Sequence, residues 1–228
     1  MNSFSSKDAE LGLGAPKGWY SRGYVPHFDH FCALQSITFR LADSLPQGKL
    51  EQLSQELRQE NLPDSRKGLE KRKRIEQWLD AGYGCCALGH PMVAKVVQDA
   101  LLKFNGVRYL LTARNIMPNH VHVLIDPKDS LARIVQSWKS FTGRWALSKN
   151  AELAAGAPEL RVPGRQFWMR DYWDRYIRDQ EYFERVLDYI HRNPVKAGLC
   201  SRPEEWQWSS AWVRQAPAWQ QPQQEKTP

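Results

Sequence analysis

The stretch Met117-Pro118-Asn119-His120-Val121-His122-Val123-Leu124-Ile125 is the segment around which this chain is organised. Its alternating second half predicts a β-strand, and Pro118-Asn119 predicts a turn directly before it. Because successive strand side chains point to opposite faces, His120 and His122 share one face. Two imidazoles side by side at a strand entrance can chelate one metal ion. The alternative is a half-buried strand with two polar residues on its solvent-facing side.

Composition limits the classes of protein to which the chain can belong. The 228 residues suit one domain with extensions, and the net charge of +7 with a pI of about 9.3 favours a polyanionic partner such as nucleic acid. The four cysteines form no C-x-x-C pair, which predicts reduced thiols. No apolar run resembles a signal peptide or a membrane span, so we expect a soluble, cytoplasmic protein without a membrane partner.

The pattern of segments predicts one main domain and two extensions. We expect a flexible N-terminus over 1–18, a catalytic domain over 19–212 and a disordered, Gln- and Pro-rich tail over 213–228. Within the domain, residues from about 49 to 81 predict a helical insertion. Its stretch 66–74 carries six basic residues and one acidic residue. Such a run is either a solvated helix face or a surface that steers DNA, and the sequence leaves both interpretations open.

Several basic and aromatic residues are candidates for contacts with DNA. The segment 19–29 crowds aromatic rings and an arginine, so it either stacks on bases or plugs the sheet edge. In the helix predicted after Ser130, two basic residues lie off the buried stripe. The segment 166–178 alternates aromatic residues with arginines. Its side chains either contact DNA or pack onto the core, with the arginines paired to aspartates. The predicted DNA contacts are Arg22, Tyr24, Lys139, Arg144, Arg170, Arg175 and Arg178.

A helix from Gln180 to Asn193 supplies the second half of the predicted site. Asp179 is placed to cap its start, and Pro194 and Gly198 are predicted to end it. Tyr189 and Asn193 lie one turn apart on one flank. An amide oxygen is a suitable metal ligand and a tyrosine can be a covalent nucleophile. Taken singly, however, both are also ordinary residues at a helix boundary.

Three other tyrosines compete with Tyr189 as the nucleophile. Tyr172 and Tyr176 precede the predicted cap at Asp179, so Tyr176 does not share a helix with the amide of Gln180. Tyr182 has an apolar residue, not a ligand, four positions on. The geometry of the predicted helix therefore favours Tyr189.

The order of several segments resembles a known family from about Trp19 to Trp212. These segments are RGYVPHFD, FRLADSLP, MPNHVHVLI, SWKSFTG, FWMRDYWDRYIRD, DYIHRNPVKAGL and WQWSSA. The chain resembles the REP-associated tyrosine transposases of the HUH single-strand transposase superfamily, which have the IS200-like transposase fold. The resemblance implies an α+β (α/β) ferredoxin-like sandwich, with helices packed on a central antiparallel sheet, and the helical insertion is an addition to it. It further implies a bacterial, nucleoid-associated enzyme.

By position, the resemblance also implies roles for individual residues. His120 and His122 match the HUH histidines, Tyr189 matches the catalytic tyrosine, and Asn193 matches the residue that completes the metal site. The implied activity is cleavage and transfer of single-stranded DNA beside REP hairpins, with Mg²⁺ or Mn²⁺ and a 5′-phosphotyrosine intermediate. No nucleotide-binding loop is present. The alternatives are a non-catalytic hairpin-binding protein and an HUH initiator of replication or transfer, and the protein is expected to be a monomer or a homodimer.

Overall fold

The structure is a computed structural model that describes residues 18–21, 26–29, 33–45, 47–60, 63–150 and 166–212. The predictions made for Arg22, Tyr24, the disordered tail and all but the last residue of the flexible N-terminus lie outside the described residues.

A four-stranded antiparallel sheet lies at the centre of the described chain, with strand order β4-β5-β3-β6. A separate antiparallel pair, β1 with β2, lies beside β6. The strand bounds are β1 Gly18–Ser21, β2 Pro26–Asp29, β3 Gln35–Arg40, β4 Tyr109–Ile116, β5 His120–Pro127 and β6 Trp173–Tyr176.

Five α-helices accompany the strands in the described residues: α1 Gln47–Gln59, α2 Asp64–Asp80, α3 Pro91–Lys103, α4 Leu131–Ser148 and α5 Gln180–Lys196. Along the chain, β3-α3-β4-β5-α4-β6 forms a βαββαβ unit whose first strand is central in the sheet. This is the ferredoxin-like arrangement, so the predicted fold class is confirmed. Among the described helices, none is both long and apolar enough to cross a bilayer.

Each face of β5 packs against a different layer of helices. Val121, Val123 and Ile125 belong to the main core, which includes residues of α3 and α4. Leu124, on the opposite face, packs with Val186 and Ile190 of α5. The alternation predicted for this strand therefore builds a three-layer structure, and the histidine face is the one that α5 covers.

The predicted insertion is the helical pair α1 and α2, which has its own small core. Leu53 and Leu57 of α1 pack against Ile75 and Leu79 of α2. Arg74, from the basic run, makes salt bridges with three glutamates of the insertion, namely Glu56 on α1, Glu60 directly after α1 and Glu70 on α2. At least one cation of the run is therefore used within the insertion.

Helix α5 continues through Pro194 to Lys196, so the prediction that Pro194 ends it is wrong. A proline has no N–H group to donate to the carbonyl four residues earlier, here that of Ile190. The side-chain Nδ2 of Asn115, on β4, donates to that carbonyl instead, at 2.7 Å. The helix then ends next to Gly198, which has φ +70° and thus fulfils its predicted role.

The side chain of Asn115 thus takes the place of the backbone N–H that Pro194 lacks, and this gives the first testable prediction. Replacing Asn115 by Ala leaves a buried carbonyl without a donor, and we expect the free energy of unfolding to fall by about 1–2 kcal/mol. Adding Pro194→Ala restores a backbone N–H and should recover part of that loss. Urea unfolding of the two single variants and the double variant measures the coupling. Strictly additive effects would contradict this explanation of how the helix passes Pro194.

Candidate active site

Three neighbouring strands direct polar side chains to the sheet face that α5 covers. In the register of the sheet, Thr38 of β3 lies opposite His122, and Arg40 lies opposite His120. On the other side, Asn115 of β4 lies opposite His122. Because cross-strand partners point to the same face, these five side chains form one polar surface within an otherwise apolar sheet.

The two histidines point their Nε2 atoms at each other, 2.9 Å apart. The outer nitrogen of each ring has its own partner. His120 Nδ1 lies 2.7 Å from the side-chain oxygen of Asn119, and His122 Nδ1 lies 2.8 Å from the hydroxyl of Thr38. These partners fix the orientations of both rings, so that both Nε2 atoms converge on one place.

Asn119 determines the tautomer of His120. Its Nδ2 donates to the carbonyl of Leu79 at 3.1 Å and to that of Tyr83 at 3.0 Å, which leaves its oxygen to accept from His120 Nδ1. The proton of His120 is therefore on Nδ1, and Nε2 presents a lone pair. Sequence reasoning treated Asn119 only as a turn residue, because its role depends on contacts with the end of α2.

Burial keeps both imidazoles neutral. It lowers the pKa of His120 well below the usual 6.5, and the neighbouring His122 and the buried Arg40 lower it further. Burial likewise lowers the pKa of His122 to about 3, with a contribution from Lys196. Neutral imidazole is the form that binds metal ions, so at neutral pH both rings are in the ligand state.

The residues present fit a divalent cation. Two ligands about 2.1 Å from an ion and at right angles to each other lie about 3 Å apart, close to the separation of the two Nε2 atoms. Asn193 is fully buried, and its Nδ2 lies 3.3 Å from His122 Nε2, while its Oδ1 has no hydrogen-bond partner. A rotation of the amide by 180° exchanges these two atoms and turns the oxygen toward the histidines.

Tyr189 lies beside these ligands, one turn before Asn193. Its ring centroid is 5.3 Å from that of His122, and the ammonium of Lys196 lies 4.8 Å from the same tyrosine ring. Burial raises the pKa of the Tyr189 phenol, as do the carboxylates of Glu76 and Asp80. The hydrogen bond with Asn193 and the charge of Arg175 oppose this rise, but the phenol is protonated at neutral pH.

A cleft of about 270 Å³ opens beside Tyr189. It brings together residues of β3, β6, α5 and the insertion helix α2, and it is lined by Ser36, Thr38, Glu76, Trp173, Asp174, Arg175, Tyr182, Arg185, Val186 and Tyr189. The predicted DNA contact Arg175 therefore lies next to the predicted nucleophile. Sequence reasoning missed Glu76 because it lies just beyond the basic run, and only the packing of α2 reveals that it faces the cleft.

The other predicted DNA contacts occupy different places. Lys139, Arg144 and Arg170 line a second cleft of about 350 Å³ between α4 and the segment 166–172. The guanidinium carbon of Arg178 lies 5.6 Å from the ring centroid of Tyr182, a residue that lines the first cleft. Sequence reasoning also missed the cations Arg40 and Lys196, because nothing in a single strand or helix shows that they face the histidine pair.

The rival tyrosines lie farther from the histidine pair in the fold. Tyr172 is buried against the α4 layer, and Tyr176 lies opposite Gln35 at the far end of β6. Tyr182 lines the first cleft, two turns before Tyr189. The ring of Tyr189, by comparison, contacts the ring of His122.

Comparison with known proteins adds evidence independent of this geometry. Residues 92–193 match the family described as "Transposase IS200 like". A Haemophilus influenzae protein assigned to the REP-associated tyrosine transposases is 30% identical over 98 residues, covering 42% of this chain and 54% of the relative. The REP-associated tyrosine transposase of Escherichia coli is 23% identical over 118 residues, covering 51% and 63%. The chain thus spans less than two thirds of each relative's length.

Among solved structures, a REP-associated tyrosine transposase bound to a REP hairpin matches with a TM-score of 0.44 and 15% identity, over 83% of this chain and 80% of the other. The region matched by the family contains His120, His122, Tyr189 and Asn193. The resemblance found in the sequence and these comparisons therefore point to the same family, and residues 92–193 are similar to the IS200-like transposases.

Proposed function

We propose that this chain is a divalent-metal-dependent endonuclease and strand transferase that acts on single-stranded hairpin DNA through Tyr189. The observation that carries the proposal is that Tyr189 and Asn193 of α5 both contact His122 on the face of the sheet that this helix covers. This arrangement places a candidate nucleophile beside a set of side chains that can bind a metal ion. Hairpins of the REP type are the proposed substrate, because the relatives bear that name.

His120, His122 and Asn193 would hold the divalent ion, Mg²⁺ or Mn²⁺, through two ring nitrogens and one amide oxygen. When bound, such an ion supplies Lewis-acid stabilisation of the charge on a phosphate oxygen. The protein's contribution is preorganisation. Thr38 and Asn119 hold both rings in orientation, and burial keeps the rings unprotonated, so neither imidazole has to turn or lose a proton before it binds the ion.

In the proposed reaction, the phenol oxygen of Tyr189 attacks a backbone phosphorus in line with the departing oxygen. A bond from Oη to phosphorus forms, the bond from phosphorus to O3′ breaks, and the phenol loses its proton while the departing strand gains one as a 3′ hydroxyl. Attack by a 3′ hydroxyl on the phosphotyrosine reverses these steps. Because the phosphotyrosine bond conserves the energy of the broken phosphodiester bond, no nucleotide cofactor is required.

The second cleft gives the DNA a path to this site. Arg144 and Arg170 are its exposed cations, while the ammonium of Lys139 donates to the carbonyl of Arg170 at 2.7 Å, and no acidic residue lies among its lining residues. Cations bind the phosphates of a DNA strand, and these contacts supply the sequence-independent part of its affinity. The next residues along the chain, from Trp173, line the first cleft. A single strand of DNA can therefore pass from the second cleft to the first around the edge of the sheet that β6 forms.

Replacing Tyr189 by Phe removes the nucleophilic oxygen and keeps the ring. We expect cleavage and the covalent adduct to disappear, because the proposal assigns the phosphotyrosine bond to this oxygen, while hairpin binding persists. Tyr182→Phe, on the same helix and in the same cleft, is the matched control and should keep the adduct. Denaturing electrophoresis with labelled hairpin DNA and Mn²⁺ measures the outcome. An adduct that persists in Tyr189→Phe would sink the proposal, and an intact binder with no adduct in the wild type would favour the non-catalytic alternative.

The metal ligands are tested by His120→Ala and His122→Ala. Each should abolish cleavage and reduce Mn²⁺ binding, measured by electron paramagnetic resonance, yet preserve hairpin binding, because phosphate contacts carry most of the affinity. His90→Asn, which retains a residue able to cap α3, is the control at a histidine that is not a proposed metal ligand. Full cleavage in Mg²⁺ by the double histidine variant would contradict the assignment.

The proposed DNA path is tested by the salt dependence of hairpin binding. Replacing Arg144 and Arg170 by Gln should weaken binding and reduce the slope of log K against log salt by about two, one for each lost phosphate contact. The control has the same loss of charge, Lys71→Gln with Lys73→Gln, at exposed positions of α2. A slope that falls in the control and not in the cleft variant would assign the DNA contacts to the insertion.

A further inference from the structure

The insertion helix α2 is fixed to the histidine strand at its C-terminal end. Asn119 Nδ2 donates to the carbonyls of Leu79 and Tyr83 on one side, and Asn119 Oδ1 holds His120 on the other. Trp173 of β6 also packs against the α1–α2 core, which includes Ile75 and Leu79. The last turns of α2 are therefore tied to the histidine strand and to β6, which lines the cleft beside Tyr189.

This anchoring directs an unused carboxylate into the catalytic cleft. Glu76 lines the same cleft as the Tyr189 phenol, and its charge acts directly on that phenol. Within the part of the chain that the structure describes, Glu76 makes no hydrogen bond or salt bridge with another residue, in contrast to Glu70 on the same helix, which pairs with Arg74. No contact that stabilises the fold explains the half-buried carboxylate of Glu76.

The charges around Glu76 come from three elements. Burial and the charge of Asp80, one turn later, raise the pKa of Glu76 to about 7, and the charge of Lys196 on α5 opposes this rise. The cleft also holds charged or titratable side chains from β6 and α5, namely Asp174, Arg175, Tyr182, Arg185 and Tyr189. A carboxyl group with a pKa near neutrality accepts and returns a proton most efficiently at the pH of the cell.

The direction of attack assigns the role. In an in-line displacement, nucleophile and leaving group lie on opposite sides of the phosphorus, so a group beside the phenol serves the nucleophile and not the departing O3′. Resting on the function proposed above, we infer that Glu76 is a catalytic residue whose carboxylate takes the Tyr189 phenol proton as the bond from Oη to phosphorus forms. In strand transfer it returns this proton to Oη as the phosphotyrosine bond breaks.

Substitution of Glu76 tests this role in single-turnover cleavage of a labelled hairpin. Glu76→Gln should lower the rate at neutral pH by about 100-fold or more, the usual contribution of general acid–base catalysis, while hairpin binding stays intact. The wild-type rate should rise with pH through about 7 and then level off, because only the ionised carboxylate accepts a proton. The Gln variant should lose this inflection, and Glu76→Asp should regain part of it.

Asp80→Asn is the matched control, one turn away on the same helix. Because the Asp80 charge raises the Glu76 pKa, its removal should move the inflection to lower pH without abolishing it. Wild-type rates and an unchanged inflection in Glu76→Gln, with the adduct on Tyr189 intact, would overturn this inference and leave the proposed function standing. No adduct in the wild type would instead refute the proposed function itself.

Discussion

The position of α5 on the sheet depends on one hydrogen bond, from Asn115 Nδ2 to the carbonyl of Ile190. That carbonyl belongs to the residue after Tyr189, and Pro194 leaves it without a partner from its own helix. Apolar packing through Val186 and Ile190 does not by itself determine how far the helix is shifted or rotated. The directional bond to Asn115, near the end of β4, fixes both, and it sets Tyr189 and Asn193 over His122.

Burial has opposite effects on the two kinds of titratable group in this site. It lowers the pKa of His120 and His122, which keeps them neutral, and raises the pKa of Tyr189 and Glu76, which favours their protonated forms. A water-poor site also strengthens each interaction between charges. The same low polarity therefore prepares the imidazoles as ligands and makes deprotonation of the phenol unfavourable, which explains why a nearby base is valuable.

Local patterns in the sequence predict much of this arrangement. Strand alternation places His120 and His122 on one face, and helical spacing places Tyr189 and Asn193 on one flank. The structure brings both pairs together. The end of α5 was mispredicted because Asn115, 79 positions before Pro194, replaces the missing donor. The position of Glu76 in the cleft was not predictable either, since it depends on how α2 docks and not on any spacing within the helix.

The central claim is that Tyr189 is the residue that becomes joined to DNA. The most direct measurement is peptide mapping by mass spectrometry of the wild-type protein after incubation with a single-stranded REP-type hairpin and Mn²⁺. The account predicts a nucleotide attached through phosphate to the peptide that contains Tyr189, and to no other peptide. A modification on Tyr182, Tyr176 or Tyr172, or complete cleavage without any modified peptide, would contradict it.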